Sequence, residues 1–185
     1  CGVPYPKTII RCVDANGESV PTGEVGEIVI QSDFVMKGYW NRPEATAESI
    51  RNGFFHTGDA GYLVEVGFLF IHDRVKDMIV SGGENVYPAE VENGIFGHPD
   101  VADVAVIGIP DEKWGEAVKA IVVAKEGTNP SPESIIAWAK ERIAGYKCPK
   151  SVDFIGALPR NPSGKILRKD LREPYWEGQE RRVGG

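Results

Sequence analysis

Asp73-Arg74-Val75-Lys76-Asp77-Met78-Ile79-Val80-Ser81-Gly82-Gly83-Glu84-Asn85-Val86-Tyr87-Pro88-Ala89-Glu90-Val91-Glu92 is the stretch where the chain changes character. Before it, short strand-like runs follow one another. After it, strands and helices alternate. Charges of alternating sign over Asp73–Asp77 mark a solvated link. Met78–Val80 is a short apolar run that ends in Ser81-Gly82-Gly83. Pro88 at a first helical position, with Glu90 in the first turn, starts a helix over Pro88–Phe96. The boundary falls at 74–77, which gives segments 1–75 and 76–185.

Downstream of this stretch, Val101–Ile109 and Val118–Ala124 are rich in β-branched residues and read as strands. Ser131-Pro132-Glu133 caps and opens a helix running to about Ile143, and Val152–Ile155 is another short strand. The order strand, helix, strand, strand, helix, strand predicts a small α+β domain with helices layered on a sheet. Upstream, Ile9–Val13 and Glu24–Gln31 read as strands, with the turn Asp14-Ala15-Asn16-Gly17 after the first. Pro43–Ile50 reads as a helix, and Tyr62–Val66 with Phe68–His72 as a hairpin about Gly67. Segment 1–75 is therefore expected to be β-rich.

Composition narrows the function classes. The 185 residues carry a formal charge of -6, and the 21 basic residues form no long run, so a nucleic-acid face is not expected. Gly 22 and Pro 13 exceed average usage and predict many turns. Cys1, Cys12 and Cys148 are odd in number and contain no CxxC pair, so neither a disulfide framework nor a zinc site is suggested. A reducing, cytoplasmic compartment fits. No apolar run reaches the ~18–20 residues of a transmembrane helix and no signal peptide opens the chain. The first residue is Cys rather than Met, which predicts that the sequence begins inside a longer protein.

Three segments pack polar residues among glycines. In Phe55-His56-Thr57-Gly58-Asp59 the carboxylate of Asp59 suits a ribose diol, although an aspartate here more commonly starts a hairpin turn. In Ser81-Gly82-Gly83-Glu84-Asn85 the glycines admit positive φ or close approach of a ligand; a tight loop is the commoner reason. In Pro159-Arg160-Asn161-Pro162-Ser163-Gly164-Lys165 the lysine lies on a stretch too proline-rich for a helix interior. From there its ammonium reaches an anion as a mobile point charge, or simply faces solvent. The GxxxxGK[ST] spacing fails, because no Gly stands at 159 and Ile166 follows the lysine. His56, His72 and His98 show no metal spacing, and no Ser/His/Asp arrangement is legible. Trp114, in a polar loop, is placed to stack on a base or to be partly buried.

Taken in order, these segments resemble the adenylate-forming, AMP-binding superfamily, and within it the acyl-CoA synthetases of fatty-acid-CoA ligase type. The matching runs are Gly23–Ile28, Gly38-Tyr39-Trp40, Phe54–Asp59, Asp73–Glu92 and Leu158–Lys165. The resemblance extends from about residue 2 to 173. It implies two steps: a carboxylate attacks the α-phosphate of ATP to give acyl-adenylate and pyrophosphate, and the CoA thiol then displaces AMP. The substrates implied are a small-molecule acid, ATP with Mg2+, and CoA, with a medium- or long-chain fatty acid as the acid. By the same match Asp59 holds the ribose hydroxyls, Arg74 contacts ribose or phosphate, and Lys165 bridges the α-phosphate and the attacking carboxylate. Lys76 is at the hinge about which the small C-terminal domain rotates between steps. Gly82, Gly83 and Glu84 line the pantetheine tunnel, and Trp114, Tyr146 and Lys150 contact the CoA nucleotide. Cys148 stands where some members carry Arg.

The family's Ser/Thr/Gly-rich phosphate loop and its Tyr-Gly-x-Thr-Glu segment are absent. Both are expected upstream of Cys1, in an N-terminal part of the same polypeptide that holds most of the acyl pocket. Segment 1–75 then corresponds to the last β-rich subdomain of the large domain, and 76–185 to the mobile small domain. Segment 1–185 alone is expected to make no acyl-adenylate. Three other readings keep the same residues: a carrier-loading adenylation domain, whose carrier does not follow before Arg182-Val183-Gly184-Gly185; a luciferase-like oxygenase; and a stand-alone, non-catalytic CoA-binding module.

Overall fold

The computed structural model describes residues 1–178; the Arg182–Gly185 terminus used above lies outside the described residues. The architecture is α+β, with two five-stranded sheets and four short α-helices among the described residues. The chain divides into two compact units, Cys1–Val75 and the chain from Lys76 onward.

In the first unit, β1 (Thr8–Val13) pairs antiparallel with β2 (Gly26–Ser32). Helix α1 (Pro43–Ser49) begins with Pro43 and runs into the short strand β3 (Ile50–Arg51). The ten-residue strand β4 (Phe54–Leu63) pairs antiparallel with β2 along one edge. Along its other edge it takes β3 near Phe54 and β5 (Leu69–Arg74) from Asp59 on. Cys12, Ile28 and Leu69 form the buried core, flanked by Ile10, Ile30 and Leu63. The expected hairpin about Gly67 forms, but its first strand is β4, which begins at Phe54 and ends at Leu63 rather than running over Tyr62–Val66. Gly58, Gly61 and the polar residues His56, Thr57 and Asp59 hide the strand period, and the strand is defined by its pairing with β2, β3 and β5 on either side of residues 57–58.

In the second unit, a 3-10 turn (Val75–Asp77) leads into β6 (Ile79–Ser81) and β7 (Glu84–Val86), an antiparallel hairpin. Helix α2 (Pro88–Phe96) follows. Then β8 (Val101–Asp111) and β9 (Gly115–Ala124) form a long hairpin joined by Glu112–Trp114. Helix α3 (Pro132–Lys140) is capped by Ser131, whose side chain accepts the Ser134 N–H, and it stops short of the expected Ile143. Strand β10 (Ser151–Phe154) lies parallel to β9, and α4 (Arg168–Arg172) closes the unit, followed by a 3-10 turn over Glu173–Tyr175.

The continuous apolar runs of β8 and β9 have a direct cause: this sheet is buried on both faces. Val104, Val106, Val118 and Val122 meet Val91 and Ile95 of α2 and Ile135 of α3. Ala105, Ile107 and Ile121 meet Leu158, Ile166, Leu171 and Tyr175 on the opposite face. Each such Val or Ile contributes about 1.5–3 kcal/mol by leaving water. Among the described residues no helix is long and apolar enough to cross a membrane.

A polar network is set into the second face. Lys119, 6% exposed, reaches Asp153 Oδ1 at 2.8 Å and Ser151 Oγ at 3.3 Å. The Tyr175 hydroxyl donates to Asp153 Oδ2 at 2.6 Å. Burial by itself raises the Asp153 carboxyl pKa, but the hydrogen bonds from Lys119 and Tyr175 outweigh it and hold the group below its ordinary value. Burial, together with the hydrogen bond to Asp153, pushes Tyr175 up to about 12. A folded pKa above the unfolded value of about 10 means that this contribution is complete below pH 10 and lost as pH rises towards 12. Tyr175→Phe should therefore lower stability near neutral pH and flatten the alkaline loss of stability. Urea denaturation at several pH values reads both effects, and an unchanged alkaline slope would contradict the network.

Candidate functional site

Thr57-Gly58-Asp59 is a bulge in strand β4. The β2–β4 ladder pairs Glu27 with Ala60 and then Val29 with His56, so Ile28 alone faces these three residues. Such an interruption strands backbone donors, which then need side-chain partners. Thr57 Oγ1 donates to the Ile28 carbonyl at 2.8 Å. The Gly58 N–H donates to Glu27 Oε1 at 3.2 Å, and the Asp59 N–H donates to Thr57 Oγ1 at 3.1 Å. Gly58 has φ +71, which a side chain would strain. Glu27 Oε2 lies 2.7 Å from His56 Nδ1, and Arg51 closes the same cluster at 2.9 Å from that nitrogen. The bulge is thus held open on its β2 side by one carboxylate.

On the other edge, Asp59 and Arg74 are direct partners in the β4–β5 ladder. Arg74 Nε meets Asp59 Oδ1 at 2.9 Å, with the two side chains 48% and 31% exposed. An ion pair this accessible contributes little to stability, about 0–1 kcal/mol. Its chemical value is different: an acceptor suited to vicinal hydroxyls stands beside a donor suited to an anion. Asp59 is therefore a mid-strand residue on a bulge rather than the start of a hairpin turn.

Lys165 lies in a small loop built around Asn161. The Asn161 side-chain oxygen accepts from the N–H of Ser163 at 3.0 Å and of Lys165 at 2.9 Å, and from the Ser163 hydroxyl at 2.8 Å. Arg160 donates to the Gly164 carbonyl at 2.7 Å and pairs with Asp103 at 2.6 Å. The backbone closes through Asn161 N–H to Lys165 O at 2.9 Å. Lys165 itself is exposed. Its ammonium pairs with no carboxylate among the described residues, so it is available to an external anion.

Gly82 and Gly83 form the two-residue turn of the β6–β7 hairpin, with φ +64 and +88. Two positive φ values in a two-residue hairpin favour glycine. Gly82 has a second constraint. Its N–H donates to the Trp114 carbonyl at 2.9 Å, and a Cβ there would lie 2.7 Å from the indole ring. Trp114 is 42% exposed, with the Lys113 ammonium 4.5 Å from its ring centroid. The structure thus brings Gly82 and Trp114 together, next to the exposed Gly83 and Glu84.

Tyr146 and Lys150 belong to a separate segment, between α3 and β10. Tyr146 is 46% exposed, with Lys147 held beside it by Glu90 at 2.6 Å. Lys150 is exposed and its N–H donates to the Val118 carbonyl at 2.8 Å. Between them Cys148 points inward, 2% exposed, and its thiol donates to the Ala144 carbonyl at 3.5 Å. Cys148 is thus a core residue and not a surface contact, and its burial raises the thiol pKa. Lys76 is exposed on the 3-10 turn. Among the described residues no three His, Cys, Asp or Glu side chains are grouped to hold a metal ion.

Known proteins resemble this chain in sequence and fold. The family model for the AMP-binding enzyme C-terminal domain matches residues 90–165, and that for AMP-binding enzymes matches residues 1–40. The chain belongs to the AMP-binding enzyme family. A feruloyl-CoA synthase of Amycolatopsis is 52% identical over 174 residues, which is 94% of this chain and 35% of that protein. The long-chain-fatty-acid–CoA ligase FadD13 of Mycobacterium tuberculosis is 57% identical over 150 residues, 81% of this chain and 30% of that protein. The crystal structure of ATP-bound MatB from Rhodopseudomonas palustris superposes with a TM-score of 0.87 at 39% identity, covering 94% of this chain and 35% of that one. The chain thus spans about a third of the length of the relatives it matches.

Sequence reasoning did not single out Glu27. It is one acidic residue in the strand Gly26–Ser32, and its side-chain contact with Gly58 arises from the bulge, not from the ladder, which pairs it with Ala60. The Gly82 contact gives a direct test. Gly82→Ala forces a methyl into the Trp114 ring at a positive φ, so stability should fall by about 1–3 kcal/mol and tryptophan fluorescence should shift. Denaturant titration that leaves both unchanged would show that Trp114 does not rest on Gly82.

Proposed function

We propose that the protein containing this chain is an AMP-forming acyl-CoA synthetase, an acid–thiol ligase that activates a fatty acid as acyl-adenylate and passes the acyl group to CoA. The observation that carries this reading is the partly exposed Asp59–Arg74 pair, with Asp59 on the β4 bulge and each residue the other's ladder partner. Family membership and the CoA-ligase relatives support it. Segment 1–75 acts as the closing part of the large domain, 76–185 as its mobile partner, and the remainder of the polypeptide supplies the acyl pocket. The enzyme works in the cytoplasm, where Cys1, Cys12 and Cys148 of this chain stay reduced.

The chemistry follows from charge. In our reading Asp59 accepts from the ribose hydroxyls of ATP, and Arg74 contacts ribose or phosphate. Attack of the acid's carboxylate oxygen on the α-phosphorus forms the acyl–phosphate bond and breaks the bond to pyrophosphate. That transition state gathers negative charge, and the Lys165 ammonium lowers its energy. Mg2+ would enter with the phosphates of ATP and neutralise part of their charge; among the described residues no three His, Cys, Asp or Glu side chains are grouped to hold it. For the second step the small unit rotates about Lys76, and Gly82, Gly83 and Glu84 are presented to the pantetheine arm. Trp114, Tyr146 and Lys150 meet the CoA nucleotide. The CoA sulfur then attacks the acyl carbon and AMP departs.

Lys165→Ala in the whole protein should cut acid-dependent exchange of pyrophosphate into ATP by about 10²–10³-fold, roughly 3–4 kcal/mol. Thioester formation from supplied acyl-adenylate should persist. Equal loss of both half-reactions would contradict the assigned role.

A further inference from the structure

The loop that carries Lys165 runs directly into α4, a helix of five residues. A helix this short is not stable by itself, so tertiary contacts must set its position. Leu171 gives it an apolar seat on the sheet. Its two arginines give it a direction. Arg168 and Arg172 are one turn apart and share a face. Arg168 grips Glu92 of α2 with a fork: Nη2 lies 2.9 and 2.8 Å from the two carboxylate oxygens and Nε lies 3.3 Å from the first. Glu92 is itself fixed, because its Oε1 accepts the Val106 N–H of β8 at 2.8 Å. Arg172 Nη1 donates to Asp77 Oδ1 at 3.1 Å, and Arg168 Nη1 lies 3.8 Å from Asp77 Oδ2. All four side chains are largely shielded, with exposures between 11% and 18%. Shielded pairs of this kind are geometrically demanding, because a partner that drifts leaves a charge without compensation.

Asp77 immediately follows Lys76 in the 3-10 turn. We propose that Asp77 is a positioning residue for Lys165: through Arg172 and Arg168 it locks α4, and with it the Lys165 loop, to the segment next to the hinge. Rotation at Lys76 is then delivered to Lys165 without slack. This rests on the reading of Lys165 as the adenylation lysine. It adds a residue that never meets the nucleotide.

The test uses the whole protein with Asp77→Asn, which keeps the shape and removes the charge. Lys165→Ala serves as a reference, and Asp77→Glu as the conservative variant. Acid-dependent pyrophosphate exchange should fall about tenfold in Asp77→Asn through kcat, with KM for ATP within twofold. Thioester formation from supplied acyl-adenylate should stay within twofold, and Asp77→Glu should recover most of the loss. Amide hydrogen exchange over residues 159–172 should quicken about tenfold, while that of β8 and β9 stays unchanged. Equal loss of both half-reactions, or unchanged hydrogen exchange over 159–172, would overturn the proposal. If Lys165→Ala leaves pyrophosphate exchange intact, the reading of Lys165 fails by itself. The hydrogen-exchange arm then still decides whether Asp77 holds the loop.

Discussion

The β8–β9 hairpin is apolar on both faces, and both faces must be covered. Helices α2 and α3 cover one with Val91, Ile95 and Ile135. The other has no long helix to cover it. Leu158, Ile166, Leu171 and Tyr175 do so, and they come from a segment with little regular structure. This requirement brings the chain after β10 back across the sheet. It places the Asn161–Lys165 loop between two apolar anchors, Leu158 and Ile166, with the lysine outward. The same hairpin presents Trp114 at its tip, against the Gly82 turn. Candidate groups for two chemical steps thus hang on one burial constraint.

Polar interactions act as adjustments on that base. In the first unit, Glu27 receives the Gly58 N–H that the bulge removes from the ladder, and so allows Asp59 to emerge beside Arg74. In the second, Asp77 and Glu92 hold the arginine face of α4. Neither set adds much net stability, since desolvation offsets most of the attraction. Their effect is to select one geometry among several that burial alone would permit.

Much of this was legible in the sequence where a local rule decides the outcome. Ser131-Pro132-Glu133 capped a helix as expected, Pro88 opened another, and the β-branched runs near 101–124 became paired strands. The family was legible too, because several motif runs appear in order. The element boundaries were less so. Strand β4 was hidden, because Gly58, Asp59 and Gly61 are poor strand formers and Thr57-Gly58-Asp59 is a bulge, so the strand is defined only by the pairing of the residues on either side of it. Helix α4 was invisible, since five residues carry no periodic signal and the stabilising partners are Asp77 and Glu92, far away in the chain. Glu27 and Cys148 illustrate the same point at single positions: their side-chain directions depend on register and burial, which local composition does not encode.

The proposed role of Asp59 is to anchor a nucleotide's ribose. Calorimetric titration of AMP into the whole protein, with Asp59→Ala alongside, tests this most directly. The account predicts saturable binding that weakens at least about tenfold in the variant, as expected when charge-assisted hydrogen bonds to hydroxyls are removed. Equal AMP affinity in the two proteins, or no binding in either, would contradict it.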